Sequence, residues 1–443
     1  MRTFRIGGVH PPENKLSAGK KIEKLTLPKQ AIIPLSQHIG APATPIVKRG
    51  DLDKVGTQIS QPGGFVSAAI FSSVSGKVAK IDEVVDASGY RKPAVFIDVE
   101  GDEWEESIDR SDDLAKECTL SPEEIVGKIK AAGVVGMGGA CFPTHVKLLP
   151  PPGNVAEILI INAVECEPYL TADHQLMLEK AEQIMVGVSI LMKAIKVNKA
   201  VIGIENNKPD AIALMTKVAS TYPGVEIMPL KVQYPQGGEK QLIDAVIRRQ
   251  VPAPPAIPIN VGAVVQNVGT AYAVYEAVQK NKPLFERVVT VTGKSLKNPS
   301  NFLVRMGTPM SMLIEAAGGM PEDTGKIIGG GPMMGKALVS AEVPICKGSS
   351  GVLLMNENEA ARKAIKNCIR CAKCVGACPM GLEPYLLSAL AENADWERME
   401  HEDIMSCIEC GSCQFTCPAA RPLLDYCRLG KGRVGAIIRS RKK

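Results

Sequence analysis

The chain has 443 residues, 45% of them hydrophobic and 22% charged, which is ordinary soluble-protein composition and length for about three domains. Its net charge of +5 is smaller than the six basic residues of Lys431–Lys443, so the body is near neutral and the basic character is terminal. No run of eighteen apolar residues occurs, which excludes a predicted membrane-spanning helix, and MRTFRIGG lacks the apolar segment of a secretory leader.

In chain order, residues 1–30 are polar and lysine-rich and predict an extended arm. Residues 31–105, with short apolar runs between Gly, Pro and Ser, predict a small all-β module, and the acidic stretch 100–117 predicts a linker. An α/β domain is expected over 118–285. Ser121, Pro122, Glu123 and Glu124 give a helix start, and the runs 156–164, 200–206 and 225–232 are candidate buried strands separated by helical stretches. Strand–helix alternation implies a parallel sheet covered by helices. A second β-rich module is expected over 286–345, then a helical region over 357–430 and a basic tail over 431–443. That tail suits an anionic membrane leaflet or an acidic partner, or simple solvation.

The thirteen cysteines are the strongest chemical signal. Cys368, Cys371, Cys374 and Cys378, followed by Pro379, read C-x2-C-x2-C-x3-C-P; Cys407, Cys410, Cys413 and Cys417, followed by Pro418, repeat it. Three thiolates on a tight loop cap three corners of a cubic cluster, and the fourth corner takes a ligand from elsewhere. In the two-cluster ferredoxin spacing that ligand is the last cysteine of the other loop. Cys368, Cys371, Cys374 and Cys417 are therefore assigned to one [4Fe–4S] cluster, and Cys407, Cys410, Cys413 and Cys378 to a second. Two zinc sites of four cysteines each are the alternative, but zinc does not need three cysteines at successive x2 spacing before C-P. Cys118, Cys141, Cys166, Cys346 and Cys427 fall outside the pattern and read as buried thiols.

Clusters that carry electrons need a source. Gly136, Gly138 and Gly139 lie just before Phe142, Pro143 and Lys147, so backbone N–H groups could approach a phosphate with Lys147 as countercharge. The spacing is not that of the dinucleotide fingerprint, and a tight turn explains the glycines equally. After the strand ILIINA come Asn162, Glu165 and Glu167, a polar cluster where α/β proteins place ligands. Tyr234, Gly237 and Glu239, then Gln266 and Asn267, follow.

Taken together, GxGGAxFPTxxKL, NAxExEP, YPxGGE and QNVGT closely resemble the NADH- and flavin-binding subunit of respiratory complex I. The resemblance implies noncovalent FMN held by Gly136, Gly138, Gly139, Lys147, Asn162, Glu165, Gly237 and Asn267, and NADH faced by Phe142, Glu167, Tyr234 and Glu239. It implies no side-chain acid or base; Glu167 would orient the nicotinamide. Two positions depart from the pattern: Val164 and Gly238 stand where that family has carboxylates.

The two-cluster array replaces that family's single cluster and is similar to the RnfC subunit family of the Rnf-type electron transport complex, as are the opening GGVHPPENK and the lipoyl-like 31–105 segment. That segment lacks the lysine a lipoyl domain modifies and reads as a scaffold. Residues 286–345 resemble a soluble-ligand-binding-like β-grasp module. The implied fold is multidomain: a barrel-sandwich hybrid, a Rossmann-like parallel-sheet FMN/NADH domain, the β-grasp module and a helical two-cluster ferredoxin-type domain. The implied role is an NAD-linked oxidoreductase subunit. It would pass electrons between NAD(H), FMN and two [4Fe–4S] clusters during ferredoxin:NAD+ oxidoreduction coupled to ion translocation. The implied partners are membrane-embedded and iron–sulfur subunits and, indirectly, ferredoxin; the implied location is the cytoplasmic face of the membrane, held peripherally. Two rivals share these features: a flavin/iron–sulfur cobalamin reductase, whose barrel-sandwich piece follows the clusters, and a two-cluster electron carrier with an inactive flavin module.

Overall fold

The structure, a computed structural model, describes residues 1–441. The N-terminal module is two antiparallel sheets. One holds Gln30–Pro34, Arg91–Gly101, Ser75–Val85 and Leu52–Asp53; the other holds Thr44–Pro45, Gln58–Gln61 and Ile70–Phe71. Alternating inward residues, among them Ile33, Ile59, Ile70, Val78, Val95 and Ile97, fill the space between them. In the stretch 63–71, where a lipoyl domain would present its lysine, Gly63, Gly64 and Phe65 are exposed and Ser67–Phe71 are buried.

The central domain is the expected parallel sheet, in the order Val225–Leu230, Ala200–Glu205, Ile158–Asn162, Ala263–Asn267. The second of these strands is buried at every residue, as a sheet covered on both faces requires. Ser121 caps the helix Pro122–Ala131 reciprocally with Glu124, as its spacing predicts. The long apolar stretch after it is two helices, Ala172–Glu179 and Ala181–Ala194, broken at Lys180. The strand order reverses between Ile158–Asn162 and Ala263–Asn267, so a crevice opens beyond their carboxyl ends. Asn162 and Asn267 are register partners there.

The second β-module runs further than its composition suggests, because Gly351–Asn356 is its central strand, between Glu286–Thr292 and Thr324–Gly329. Its edge strand, Ile22–Lys24, comes from the other end of the chain and pairs with Ser300–Arg305. The expected acidic linker is partly docked: Asp109 binds Lys280 at 2.7 Å, and Asp102 binds Arg305 at 2.9 Å.

At the chain ends the extended arm is found as expected, and the basic tail needs correction. The N-terminal arm is extended but not free. Phe4, Val9 and Ser17 are buried, and the arm crosses from the parallel-sheet domain to the cysteine-rich domain. The basic terminal residues are not a tail: through Arg441 they form the second half of the helix Leu423–Arg441. Lys431 bonds the Cys407 carbonyl at 2.6 Å, and Arg441 bonds Glu400 at 2.9 Å. Lys442 and Lys443 lie outside the described residues. Among the described residues no helix is long and apolar enough to cross a membrane.

Candidate functional site

The glycine loop closes on the crevice of the parallel sheet. Gly136 N–H donates to the Phe142 carbonyl at 2.9 Å, and Val135 bridges Pro143, so residues 136–142 form a closed excursion. Gly138, Gly139 and Ala140 are exposed at its tip, and Gly139 has φ of +147° with open space where a Cβ would lie. The helix after the loop is only Thr144–Lys147. The longer helix facing the loop is Val268–Gln279, capped by Asn267, whose side chain accepts from the N–H groups of Gly269 (2.8 Å) and Thr270 (3.3 Å). The Thr270 hydroxyl accepts from Met137 N–H at 2.9 Å and pins the loop to that helix.

The asparagines and glycines expected to hold a flavin meet here. Asn162 donates to the Gly237 carbonyl at 2.8 Å. A Cβ on Gly237 would stand 3.0 Å from Cys166 Sγ, and one on Gly138 3.1 Å from Asn267 Cβ. A side chain at either position would therefore press on a neighbour that lines the crevice. Glu165 is turned inward at φ +49° and caps the helix Ala172–Glu179, accepting from Asp173 N–H at 2.8 Å and His174 N–H at 3.2 Å. Lys147 makes an ion pair with Glu239 at 2.6 Å and donates to the Val265 carbonyl at 3.1 Å.

The four residues expected to face a nicotinamide are spread more widely. Phe142 is half-buried at the base of the glycine loop. Glu239 opens the helix Glu239–Ile247. The Glu167 carboxylate accepts from Met333 (3.1 Å) and Met334 (2.7 Å) N–H groups of the second β-module, and a Cβ on Gly331 would overlap it. Burial pushes its pKa up to about 7, against those two N–H groups, which favour the charged form. Tyr234 is 2% exposed, and its hydroxyl donates to the Cys410 carbonyl at 2.8 Å. It therefore stands between the flavin-type domain and the cysteine loops.

Sequence reasoning missed several groups. Asp173 accepts from Asn267 at 2.8 Å, and burial beside Glu165 raises its pKa to about 6. Arg287, buried in the second β-module, donates to the Lys347 carbonyl and to Met137 of the glycine loop at 3.4 Å. Burial lowers its pKa. Lys15 of the arm gives all three ammonium protons to the carbonyls of Glu165, Glu167 and Leu170 at 2.6–2.9 Å. Asp173 follows the polar cluster within the same domain, whereas no local pattern announces Arg287 and Lys15, because each reaches the site from a different module. Val164 is wholly buried among Ile158, Ile160 and Val265, so that position is part of the core. Gly238 is the N-cap of its helix, where a Cβ would meet Gln241 at 2.4 Å.

The cysteine repeat is also a backbone repeat. Arg370 and Glu409 have φ of +54° and +57°, Ala372 and Gly411 +57° and +79°, Gly381 and Ala420 +68° and +52°. Left-handed residues at matching positions curl each loop around its centre. Cys378, Cys407, Cys410 and Cys413 line one apolar pocket, walled by Leu387, Leu424 and Pro384. The last cysteine of the first motif thus joins three of the second. Among the described residues no three such side chains converge on a point that one metal ion could fill. Thiols around a cavity suit a cluster; thiols around a point would suit zinc. Cys427, read as an ordinary buried thiol, is buried but lines this same pocket beside Cys407 and Cys413.

The cavity adjoins the flavin-type domain. Besides Tyr234 and Cys410, Gln241 donates to the Pro379 carbonyl at 3.2 Å, and Gly8 of the arm donates to the Ala377 carbonyl at 3.0 Å.

Comparison with known proteins follows the same divisions. Residues 3–102 match the RnfC barrel sandwich hybrid domain, 129–276 the Nuo51 FMN-binding domain, 288–337 the SLBB domain and 359–418 a 4Fe-4S dicluster domain. The corresponding subunit of the proton-translocating ferredoxin:NAD(+) oxidoreductase complex of Clostridium ljungdahlii is 46% identical over 431 residues, covering 97% of this chain and 93% of that one. Its Na(+)-translocating counterpart from Acetobacterium woodii is 42% identical over 449 residues, covering 100% and 98%. The counterpart from the ion-translocating oxidoreductase complex of Rhodobacter capsulatus is 41% identical, covering 98% and 84%. A chain of the NAD+-reducing [NiFe]-hydrogenase shares the fold at a TM-score of 0.50 and 20% identity, over 71% of this chain and 63% of that one. With full-length relatives at this identity and all four modules in order, the chain belongs to the RnfC family of subunits of the ion-translocating ferredoxin:NAD(+) oxidoreductase complexes.

Proposed function

We propose that this chain is the NADH- and FMN-linked electron-transfer subunit of an Rnf-type complex. It would exchange electrons between NAD(H) and two [4Fe–4S] clusters during ferredoxin:NAD+ oxidoreduction coupled to ion translocation. Ion movement and membrane anchorage belong to other subunits, and the chain sits peripherally on the cytoplasmic face. The observation that carries this reading is the direct packing of both cysteine motifs on the flavin-type domain, the second through Tyr234 on the Cys410 carbonyl and the end of the first through Gln241 on the Pro379 carbonyl.

The residues fit the cofactors they are proposed to hold. Gly136, Gly138 and Gly139 form a side-chain-free loop, open at Gly139 and packed on Asn267 at Gly138, Asn162 binds Gly237 beside it, and Glu165 fixes the neighbouring helix. Cys378, Cys407, Cys410 and Cys413 surround the cavity of the second cluster; Cys368, Cys371, Cys374 and Cys417 belong to the first. FMN, when bound, supplies the exchange between two-electron nicotinamide chemistry and one-electron cluster chemistry. The protein's part is positional. Glu167 and Glu239 offer carboxylates to a nicotinamide or ribose, and Phe142 offers a ring face. Lys147 neutralises Glu239 and is free to meet phosphate when that pair opens.

The test is anaerobic purification, flavin and iron analysis, and visible absorbance with NADH. FMN is expected with about two clusters per chain, and NADH should bleach the cluster absorbance. Gly138→Val should lower flavin affinity about tenfold or more, the scale of 1.4 kcal/mol, with iron content unchanged. A protein that binds no FMN, and whose clusters NADH does not bleach, would be the two-cluster carrier with an inactive flavin module.

A further inference from the structure

The two cysteine loops, nearly identical in backbone, sit in opposite surroundings. In the second, Cys410 is 7% exposed, and the cavity it lines is walled by apolar side chains. In the first, Cys368 and Cys371 are exposed, and every residue from Ala361 to Lys373 is exposed with them. Residues 361–370 have no regular secondary structure, and among the described residues their backbone N–H groups are tied to the rest of the domain only by Ala361 to the Glu357 carbonyl and Lys366 to the Ala419 carbonyl, both at 2.9 Å.

The composition of that exposed segment is one-sided. Arg362, Lys363, Lys366, Arg370 and Lys373 supply five cations in twelve residues, with no acidic residue between Glu359 and Glu383. Arg362 is paired with Asp425 at 3.0 Å; among the described residues no carboxylate pairs with the other four. Two large apolar side chains stand among these cations, Ile365 at 62% and Ile369 at 67% exposed. Tyr385, 42% exposed, lies beside Cys368 and Cys374 and bonds Glu383 at 3.0 Å. Exposed apolar residues interspersed with unpaired like charges suit a protein interface, and charge of one sign sets both partner and encounter rate.

We propose that the collar Arg362–Lys373 around the first cysteine loop is the docking surface for an acidic iron–sulfur protein domain, and is this subunit's electron port. The inference rests on the functional reading above and adds the place and the partner chemistry. A carrier needs its redox centre brought near the surface at the point of contact, and only the first loop is exposed. An anionic membrane would satisfy the cations alone. It gives no reason for them to alternate with cluster ligands along the chain, and the exposed apolar pair interspersed among them suits a shaped protein surface. Weak, salt-sensitive contact is the expected mode, since electron-transfer encounters use small interfaces that must release.

The experiment uses the full-length, cofactor-loaded chain, a small acidic two-[4Fe–4S] ferredoxin as probe, and the double variant Lys363→Glu/Lys366→Glu, which alters no cluster ligand. The coupled reaction is NADH plus two oxidised carrier clusters giving NAD+, one proton and two singly reduced carrier clusters. Binding of the probe by calorimetry should weaken about tenfold in the variant and with rising salt in the wild type. NADH-driven reduction of the probe should fall in step, while NADH-driven reduction of ferricyanide stays unchanged. A second variant, Ile365→Ser/Ile369→Ser, should weaken probe binding without changing its salt dependence. Equal probe binding and equal rates in wild type and both variants, with ferricyanide reduction intact, would overturn the port. So would charge-dependent binding to phosphatidylcholine/phosphatidylglycerol vesicles with none to the probe. Loss of NADH-driven ferricyanide reduction in the wild type itself would instead overturn the underlying functional reading.

Discussion

At the residue scale, Glu167 joins modules through an ionisable group held away from its ordinary range. Burial raises its pKa from 4.5 to about 7. Between those values the native state keeps a proton that the unfolded chain has released. The contribution to stability is therefore fully present below 4.5 and lost as pH rises through 7. Glu167→Gln cannot lose that proton, so its stability should hold where the wild type declines. The difference in slope between about pH 5 and about pH 8 should amount to about 1–2 kcal/mol, read from urea unfolding at each pH. A wild type and variant with parallel profiles would mean that Glu167 titrates as an ordinary surface carboxylate. Asp173 and Glu205, also raised, titrate in the same window in both proteins and cancel from the comparison.

At the element scale, the repeated loops make the ligand exchange testable. Cys378 ends the first motif yet lines the cavity of the second with Cys407, Cys410 and Cys413, and so does Cys427 on the last helix. A cube has four iron corners to cap, so one of these five thiols is left over. The repeat assigns Cys378 as ligand and Cys427 as neighbour. Cys378→Ser is expected to lose about half the iron, with the electron paramagnetic resonance signal of one reduced cluster. Cys427→Ser should keep the full iron content, with only a shifted signal from the altered sulfur contact. The reverse pattern would reassign the fourth ligand. The basic end of the chain belongs to the same scale. As a free tail it would have been a binding element; as the last turns of a packed helix, its Lys431 supports the Cys407 loop and its Arg441 pairs with Glu400.

For the whole molecule, the arm is the part whose meaning changes most. Lys15 binds three carbonyls of the segment that carries Glu165 and Glu167, Gly8 binds the Ala377 carbonyl, and Arg5 pairs with Asp244 at 2.5 Å. One strand of chain therefore ties the flavin-type domain, the second β-module and the cluster domain together. Lys15→Met leaves three buried carbonyls without a donor and should cost about 2–4 kcal/mol, read by denaturant unfolding. Amide exchange in Glu165–Leu170 should rise in parallel. An unchanged midpoint would show that water replaces the ammonium without loss.

The covalent pattern alone was enough for the parts whose chemistry is local. C-x2-C-x2-C-x3-C-P, written twice, specifies thiol-rich loops, because only that spacing curls three thiolates around one centre. Ser121 and Glu124 declare a helix start because both partners lie within one turn. Three of the four parallel strands were legible as apolar runs, although Val225–Leu230 is an edge strand buried only at Leu230 and Ala263–Asn267 was not among them, and the flavin-type motifs were legible from their order along the chain. Tertiary structure decided what depends on distant partners. Tyr234 lies under Cys410 rather than on an open face, Arg287 and Lys15 reach the site from other modules, and Gly351–Asn356 becomes a central strand through pairing on both sides. The basic end becomes helix because Leu423, Leu424, Cys427 and Val434 bury one face against the cluster domain. The physical reason is the same throughout: spacing along a chain fixes what neighbours can do together, but burial and partnership between distant residues exist only once the modules have packed.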